Sequence, residues 1–363
     1  MTEEAKEPKA EEAETAAEAE EEEKSRHPEI DPHAMLTVSA SPHIKSPDTT
    51  RSLMIDVIIA LLPSLAWGTY LFGFRSLTVT VVAVAAAILS ELLYELILKK
   101  PVTIPDGSAA VTGLLVALNM PSTIPLWIPM VGSAFAILVV KQLFGGIGKN
   151  FMNPALAARA FLMLAWPNQM TQYPSLSAAS SVSPFAFTVD TGEILAGATP
   201  MVQLKQGVLP STGLFSFLIG EKVGCIGEVS ALLLLVGGIY LICRKVITWH
   251  IPVAYFATVA LISYFFPGTA AGRLEFVGYE LLSGGLVLGA VFMATDYATS
   301  PVTAKGRLLF GFGCGAITMF IRYFGGYSEG VTFAILIMNT LVWYIDRLTR
   351  PVRFGGGAKR EKQ

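Results

Sequence analysis

A single hydroxyl group, that of Thr199, stands among small residues in a polar stretch of the chain. The local sequence runs from Glu193 through Ile-Leu-Ala-Gly-Ala to Thr199 and Pro200, so small side chains precede the hydroxyl and a proline follows it. Small neighbours leave a hydroxyl accessible to a modifying enzyme, and Pro200 biases Thr199 towards extended backbone. Those are the conditions that a covalent attachment site needs. Gly-Ala-Thr-Pro is also an ordinary loop sequence, and the residues alone leave both interpretations open.

Several ionisable residues fall inside apolar stretches, where burial without a partner is costly. Glu91 and Glu95 are four residues apart and share a helix face, and Lys99 has the spacing to pair with Glu95. This trio indicates either a functional acidic pair or an ion pair near a helix end. Arg159 is more isolated, and its guanidinium suits either a phosphate group or a partner carboxylate.

Cysteine and histidine are too scattered to form a metal site. The three cysteines show no CxxC spacing, and none of the four histidines pairs with another at helical spacing. The sequence therefore predicts no metal site within this chain, unless a thiol is shared with a cluster in another subunit. The cysteines are expected to be small buried side chains.

The elements that position these residues are predicted to be membrane helices. Hydrophobic residues make up 53% of the chain and charged residues 15%, and the mean hydropathy is +0.56. Soluble domains carry nearer a quarter charged residues. Apolar runs predict an all-α integral membrane protein with about ten transmembrane helices, near 53–74, 77–98, 108–120, 124–144, 153–166, 222–243, 248–266, 279–294, 306–324 and 329–346.

Three of the runs (108–120, 153–166 and 279–294) are shorter than a full span. Short segments interrupted by Gly or Pro often are half-helices that line a site at membrane depth. Pro121 and Pro125 lie between two of the runs, which favours that interpretation. Tilted ordinary helices are the alternative.

The distribution of Lys and Arg predicts the orientation. With ten spans and both termini in the cytoplasm, the cytoplasmic side receives most of the basic residues, and the opposite side receives only Arg75, Lys205, Lys222, Arg273 and Arg322. The resulting division is a disordered acidic cytoplasmic tail (1–40), a first half of the membrane domain (41–166), an extracytoplasmic loop (167–221), a second half (222–350) and a basic cytoplasmic tail (351–363).

Four segments carry a resemblance to a known family. They are Pro105-Asp106-Gly107-Ser108-Ala109, Gly145-Gly146-Ile147-Gly148-Lys149-Asn150-Phe151-Met152-Asn153-Pro154-Ala155, Met293-Ala294-Thr295-Asp296-Tyr297-Ala298-Thr299-Ser300-Pro301, and Ser41-Pro42-His43 before the first helix. With them the chain resembles the family that contains the D subunit of Rnf-type electron-transport complexes and the B subunit of the sodium-translocating NADH:quinone reductase. The resemblance runs from about Ser41 to Pro351 and implies a urea-transporter-like helical bundle.

The resemblance implies a covalent flavin on the loop. In that family a flavin transferase esterifies the phosphate of FMN onto the threonine of a Ser-Gly-Ala-Thr type motif, and the matching residue here is Thr199. Ala196 replaces the usual Ser or Thr, and Glu193 stands where Asp is typical. The first keeps small size and the second keeps the acidic group.

A second flavin, non-covalent riboflavin, is also implied within the membrane domain. The isoalloxazine ring needs donors and acceptors at its edge inside an apolar slot. Polar residues in segments near the short helices are the candidates for that site: Asn150, Asn153, Asp106, Ser108, Thr295 and Asp296. The alternative is that they cap helices and satisfy freed backbone groups.

The resemblance further implies a component without stand-alone activity, in a prokaryotic cell membrane. Electrons would pass between ferredoxin- and NAD-linked partners, coupled to Na⁺ or H⁺ translocation. The chain has neither an NAD-binding Gly-rich fingerprint nor a clustered-Cys motif, so those steps are expected on other subunits, including an FMN-bearing subunit and membrane iron–sulfur subunits. Lipid is an expected partner and nucleic acid is not. The alternative is a passive channel or solute transporter of the same fold, which has no need of a flavinylation loop.

Overall fold

The computed structural model describes residues 49–173, 199–210, 212–220, 222–268, 272–327 and 329–351. These residues are mainly helical, and no β-strand occurs among them. The helices are, in chain order, α1 Thr50–Phe72, α2 Arg75–Ile97, α3 Ser108–Leu118, α4 Trp127–Gln142, α5 Pro154–Ala165, α6 Pro167–Thr171, α7 Pro200–Lys205, α8 Leu214–Ile219, α9 Ala231–Cys243, α10 His250–Phe265, α11 Arg273–Leu282, α12 Leu286–Met293, α13 Ala304–Phe324 and α14 Val331–Thr349. The predicted tail at 1–40 lies outside the described residues, as does 352–363 of the other tail.

Four helices, α1, α2, α13 and α14, are long and apolar enough to cross a bilayer. The pair α11–α12, bent by 63°, is a fifth candidate if it counts as one span. Large apolar side chains point outwards on the long helices; Ile97 is 75% exposed and Phe324 77%. Because a soluble protein rarely exposes so much apolar surface, these faces suit lipid, and the chain is a multi-pass membrane protein.

Two of the predicted short helices are confirmed. Helix α3 has 11 residues and α5 has 12, less than the roughly 20 that span a bilayer. Pro121 and Pro125 follow α3, and proline cannot supply the N–H that a continuing helix requires. Helix α4 then runs to Gln142 and widens to π-helical turns from Ala136.

The predicted helix at 222–243 is wrong over its first nine residues, because α9 begins only at Ala231. Residues 222–230 form a buried loop that bonds to the chain beyond α3, from Ile226 N to Met120 O at 3.0 Å and from Gly227 N to Leu118 O at 2.8 Å. Gly227 permits this approach, since a Cβ there would lie 2.5 Å from the Cβ of Leu118. Ser230 then caps α9.

The predicted single short helix at 279–294 is also wrong. The chain forms α11, breaks at residues 283–285, and resumes as α12. Gly284 has φ +66°, a left-handed conformation that glycine adopts without strain and that ends a helix. The sequence shows no drop in hydropathy at the break, because the broken segment is as buried as the helices beside it.

Helix α3 is held in the interior by contact with α2. At Gly113 a Cβ would lie 2.7 Å from the Cα of Val84, so the two backbones touch. Helix α3 also contacts α5 in the core of the molecule.

Candidate functional site

Thr199 is the first described residue after the gap at 174–198, and it begins α7. Its backbone is extended, with φ −63° and ψ 148°, as Pro200 predicts. The side-chain hydroxyl makes no capping bond to the helix, although threonine commonly does so at this position. The hydroxyl is thus not committed to the helix. Glu193 and residues 196–198 lie outside the described residues.

The Thr199 pocket is defined here by Tyr173, Thr199, Lys222, Glu228 and Glu329, which line one small cavity. A wider opening adjoins it on the other side of Thr199 and contains Lys205 and Tyr327. Thr199 therefore sits between an interior charged pocket and a surface groove. Two lysines, Lys222 and Lys205, flank it.

A central cluster of ionisable residues lies beneath Thr199: the buried Arg159, Lys222 and Glu228, and the partly buried Glu329. Arg159 forms an ion pair with Glu329 and donates from Nη1 to Asn119 Oδ1 at 2.5 Å. Asn119 directly follows α3, so the guanidinium contacts the end of that helix.

The other half-helix end meets the same cluster. The backbone N–H of Gly285, in the break between α11 and α12, donates to Glu329 Oε1. Lys222 donates from Nζ to the carbonyl of Leu282, the last residue of α11. The cluster thus joins both interrupted helices, and it satisfies backbone groups that the interruptions leave free.

Glu228 is the member of the cluster with an unused oxygen. Its Oε1 accepts a hydrogen bond from Cys225 N at 3.0 Å, whereas its buried Oε2 has no hydrogen-bond partner among the described residues. Burial raises the pKa of Glu228 to about 7, and the carboxylate of Glu329 adds to the rise. Burial lowers the pKa of Lys222 to about 8.

A second cavity, named here the Asn150 cavity, contains five of the six residues predicted for the second flavin: Ser108, Asn150, Asn153, Thr295 and Asp296. Its cavity volume is about 110 Å³. Apolar walls come from α1, α3 and α12, with Val57, Leu115 and Phe292 among them. Chain segments nearly two hundred residues apart thus supply one polar edge in an apolar slot.

The sixth predicted residue, Asp106, does not line the Asn150 cavity. Its carboxylate accepts bonds from Ser108 N at 2.8 Å and Ser108 Oγ at 2.6 Å, so Asp106 orients a residue that does. Part of the polar edge also has a structural role. Asn153 caps α5, and its amide donates to Met293 O at 3.2 Å.

Lys141 is a lining residue that the charge pattern assigns to a cytoplasmic segment, but the structure buries it. Its Nζ lies 2.7 Å from Glu91 Oε1 and 2.6 Å from Ser108 Oγ. Lys141 lies within the π-helical turns at the end of α4. A lysine at the end of an apolar run, with acids inside a neighbouring apolar run, is the signal that could have found it.

The predicted pairing of Glu95 with Lys99 is wrong. Glu95 is 2% exposed and accepts bonds from the backbone N and the hydroxyl of Thr103, while Lys99 is exposed with a left-handed φ of 53°. Lys99 follows the end of α2 and no longer lies on its face. Of the two roles open to Arg159, the structure shows the partner carboxylate, Glu329.

Sequence patterns identify relatives over most of the chain. The family described as the NQR2, RnfD, RnfE family matches residues 37–355. The D subunit of the Na(+)-translocating ferredoxin:NAD(+) oxidoreductase complex of Acetobacterium woodii is 48% identical over 88% of this chain and 95% of its own length. The D subunit of the proton-translocating ferredoxin:NAD(+) oxidoreductase complex of Clostridium ljungdahlii is 40% identical over 88% and 96%. The D subunit of the ion-translocating oxidoreductase complex of Stutzerimonas stutzeri is 39% identical over 85% and 92%.

Proposed function

The chain belongs to the NQR2, RnfD, RnfE family, and on that premise we propose that it is the membrane component of an ion-translocating ferredoxin:NAD⁺ oxidoreductase complex that carries FMN covalently on Thr199. The observation that carries the proposal is the position of the Thr199 hydroxyl. It is not used to cap α7, and it lies at a junction between a charged pocket and a surface groove.

The described residues suit a phosphate ester at Thr199. A phosphodiester carries one negative charge, and Lys222 and Lys205 line the two cavities that meet at Thr199, together with the carboxylates of Glu228 and Glu329. When bound, FMN supplies one- and two-electron transfer. The protein's share is to fix the attachment point and to surround it with charge that tunes the potential.

Riboflavin is the second cofactor of the proposal, in the Asn150 cavity. Amide, hydroxyl and carboxylate groups of Asn150, Asn153, Thr295 and Asp296 edge an apolar slot, which is what an isoalloxazine requires. The one cation among the described lining residues, Lys141, is paired with Glu91. A flavin without a phosphate matches that charge balance better than FMN does.

Ten spans with both termini in the cytoplasm complete the proposed topology. Besides the four long helices and the bent pair, α3, α4, α5, α9 and α10 are shorter apolar helices. Each half of the chain contains a short helix, a break and a helix that ends in π-helical turns, in α3–α4 and again in α11–α12. That recurrence supports a repeated, urea-transporter-like architecture.

Electrons are proposed to reach FMN from an FMN-bearing partner and to pass towards membrane iron–sulfur subunits, with Na⁺ or H⁺ translocated. A passive channel of the same fold is not favoured, because the relatives are named as oxidoreductase subunits.

The proposal is tested by flavin content. The chain is expressed with a flavin transferase, denatured and inspected for in-gel fluorescence, together with Thr199→Ala and the control Thr212→Ala. Thr212 is an exposed loop residue whose backbone carbonyl accepts the bond from Tyr279, so the control leaves that bond in place. Wild type and control are expected to fluoresce and Thr199→Ala to be dark. Acid extraction of native Thr199→Ala protein is expected to release riboflavin.

A dark wild type, with the transferase active on another substrate, would overturn the FMN assignment. A fluorescent Thr199→Ala band would move the attachment to another residue. An acid extract without flavin would remove riboflavin from the Asn150 cavity and leave the covalent site standing.

A further inference from the structure

Glu228 is a buried ionisable group that the proposed function does not use. Its side chain is 7% exposed, and it lies in the same pocket as Thr199. One oxygen bonds to Cys225 N, and the other, Oε2, is buried without a partner among the described residues. A buried ionised carboxylate with an unsatisfied oxygen is costly, whereas a protonated carboxyl is much less so.

The surroundings of Glu228 favour a proton over a metal cation. The titratable and charged groups that face it come from four parts of the chain: Arg159 of α5, Glu329 before α14, Lys222 and Cys225 of its own loop, and Tyr173. Two of these are cations, which repel a bound metal ion. A metal ion also needs several oxygen ligands, and Glu329 is already occupied by Arg159 and Gly285.

Glu329 is not the proton acceptor of this pair. Its two oxygens are both bonded, and neutralising it would leave the buried guanidinium of Arg159 without its counter-charge. Glu228 forms no such ion pair among the described residues. Its nearest cationic neighbour besides Arg159 is Lys222, whose ammonium is bonded to a backbone carbonyl.

We infer that Glu228 is the proton-accepting group of the Thr199 pocket, and that it binds one proton when the group on Thr199 gains an electron. The electron step rests on the proposed function. A one-electron donor on a partner protein supplies the electron, water supplies the proton, and the carboxylate becomes a carboxylic acid. The charge added to the flavin is thereby balanced, and oxidation returns the electron to an acceptor and the proton to water.

Glu228 thus acts by charge compensation. It holds the proton in position and does not itself react with substrate. Burial raises the pKa of Glu228 to about 7, and this value sets the pH window. Below about pH 7 the carboxyl already holds its proton, so reduction draws no further proton to it. Above that pH, and up to the higher pKa that the carboxyl has in the reduced protein, each reduction brings a proton, and the potential falls as pH rises.

The test uses the flavinylated full chain and follows the flavin absorbance during redox titration at several pH values from 6 to 9, at each of two fixed Na⁺ concentrations. For one proton per electron, each tenfold change in proton activity corresponds to about 59 mV. Glu228→Gln is expected to lose most of the slope above pH 7, whereas Glu228→Asp keeps it. Glu275→Gln, an exposed acid in the first turn of α11, is the matched control and keeps the wild-type slope.

Infrared difference spectra provide a readout apart from the potential. Reduction above pH 7 is expected to produce a carboxylic-acid band in wild type that is absent in Glu228→Gln. An unchanged slope together with an unchanged band in Glu228→Gln would overturn the assignment. A potential that depends on Na⁺ and not on pH would also overturn it, in favour of a metal cation.

Failure of this inference is distinguishable from failure of the proposed function. If the wild-type band fluoresces and Glu228→Gln leaves the pH slope of the potential unchanged, only the role of Glu228 is contradicted. A dark wild type in the gel assay removes the flavin itself and the electron step with it.

Discussion

At the residue scale, loss of one partner of the ion pair between Arg159 and Glu329 is expected to be costly. Glu329→Gln leaves a buried guanidinium without its carboxylate, and breaking a buried ion pair by removing one partner costs roughly 3–5 kcal/mol. The purified variant should therefore unfold at a clearly lower temperature in detergent. Thermal unfolding followed by size-exclusion chromatography measures the change.

The double variant Arg159→Met/Glu329→Gln is the control for this prediction. It removes both charges, so it should recover part of the lost stability. If the single variant proved as stable as wild type, the ion pair would not hold the half-helix ends together.

Residue types alone predict that these groups need partners, but not which ones. Arg159 and Glu329 are 170 positions apart, and no local spacing connects them. Glu95 and Lys99 have the right spacing and still do not pair, because α2 ends before Lys99. Thr199 is the residue whose local conformation could be predicted, since Pro200 acts on the adjacent backbone.

At the element scale, contact between α2 and α3 is expected to depend on Gly113. Gly113→Ala places a Cβ 2.7 Å from the Cα of Val84, which forces the helices apart at a cost of roughly 1–3 kcal/mol. Thermal unfolding of the purified variant measures the loss. Gly326→Ala is the matched control, because a Cβ there meets nothing within 4 Å. Equal stability of the two variants would contradict the close contact.

Helix positions follow from hydropathy wherever the apolar run is continuous, as in α1, α2, α13 and α14. Hydropathy does not indicate the loops at 222–230 and 283–285, for one physical reason. Both segments are buried inside the protein, so their side chains are as small and apolar as those of the helices. Their glycines nevertheless permit turns and close contacts.

At the scale of the whole molecule, the ten-span topology predicts which loops face each side of the membrane. In a background with the exposed Cys243 replaced by serine, Thr212→Cys should react with an impermeant maleimide on intact cells, and Lys305→Cys should react only after lysis. The reason is that an even number of predicted spans separates Lys305 from the cytoplasmic termini, whereas Thr212 lies in the extracytoplasmic loop. Labelling of both sites on intact cells, or of Lys305→Cys alone, would contradict the topology.

Sequence patterns do not show which distant segments of the chain meet in the folded molecule. The residues of the Asn150 cavity could be selected as polar groups near short helices, but only the fold shows that segments around 108, 150 and 295 meet. Lys222 and Glu329 are single charges at the edges of predicted apolar runs, and Glu228 is a single charge inside the predicted run 222–243, so no spacing connects the three. Their shared location beneath Thr199 comes from the two interrupted helices.

The most direct test of the central claim is mass spectrometry of peptides from the chain produced with a flavin transferase. The account predicts that the peptide containing Thr199 gains the mass of one FMN less one water, with fragment ions that assign the addition to Thr199. An unmodified Thr199 peptide from cells with an active transferase, or an addition on another residue, would contradict it.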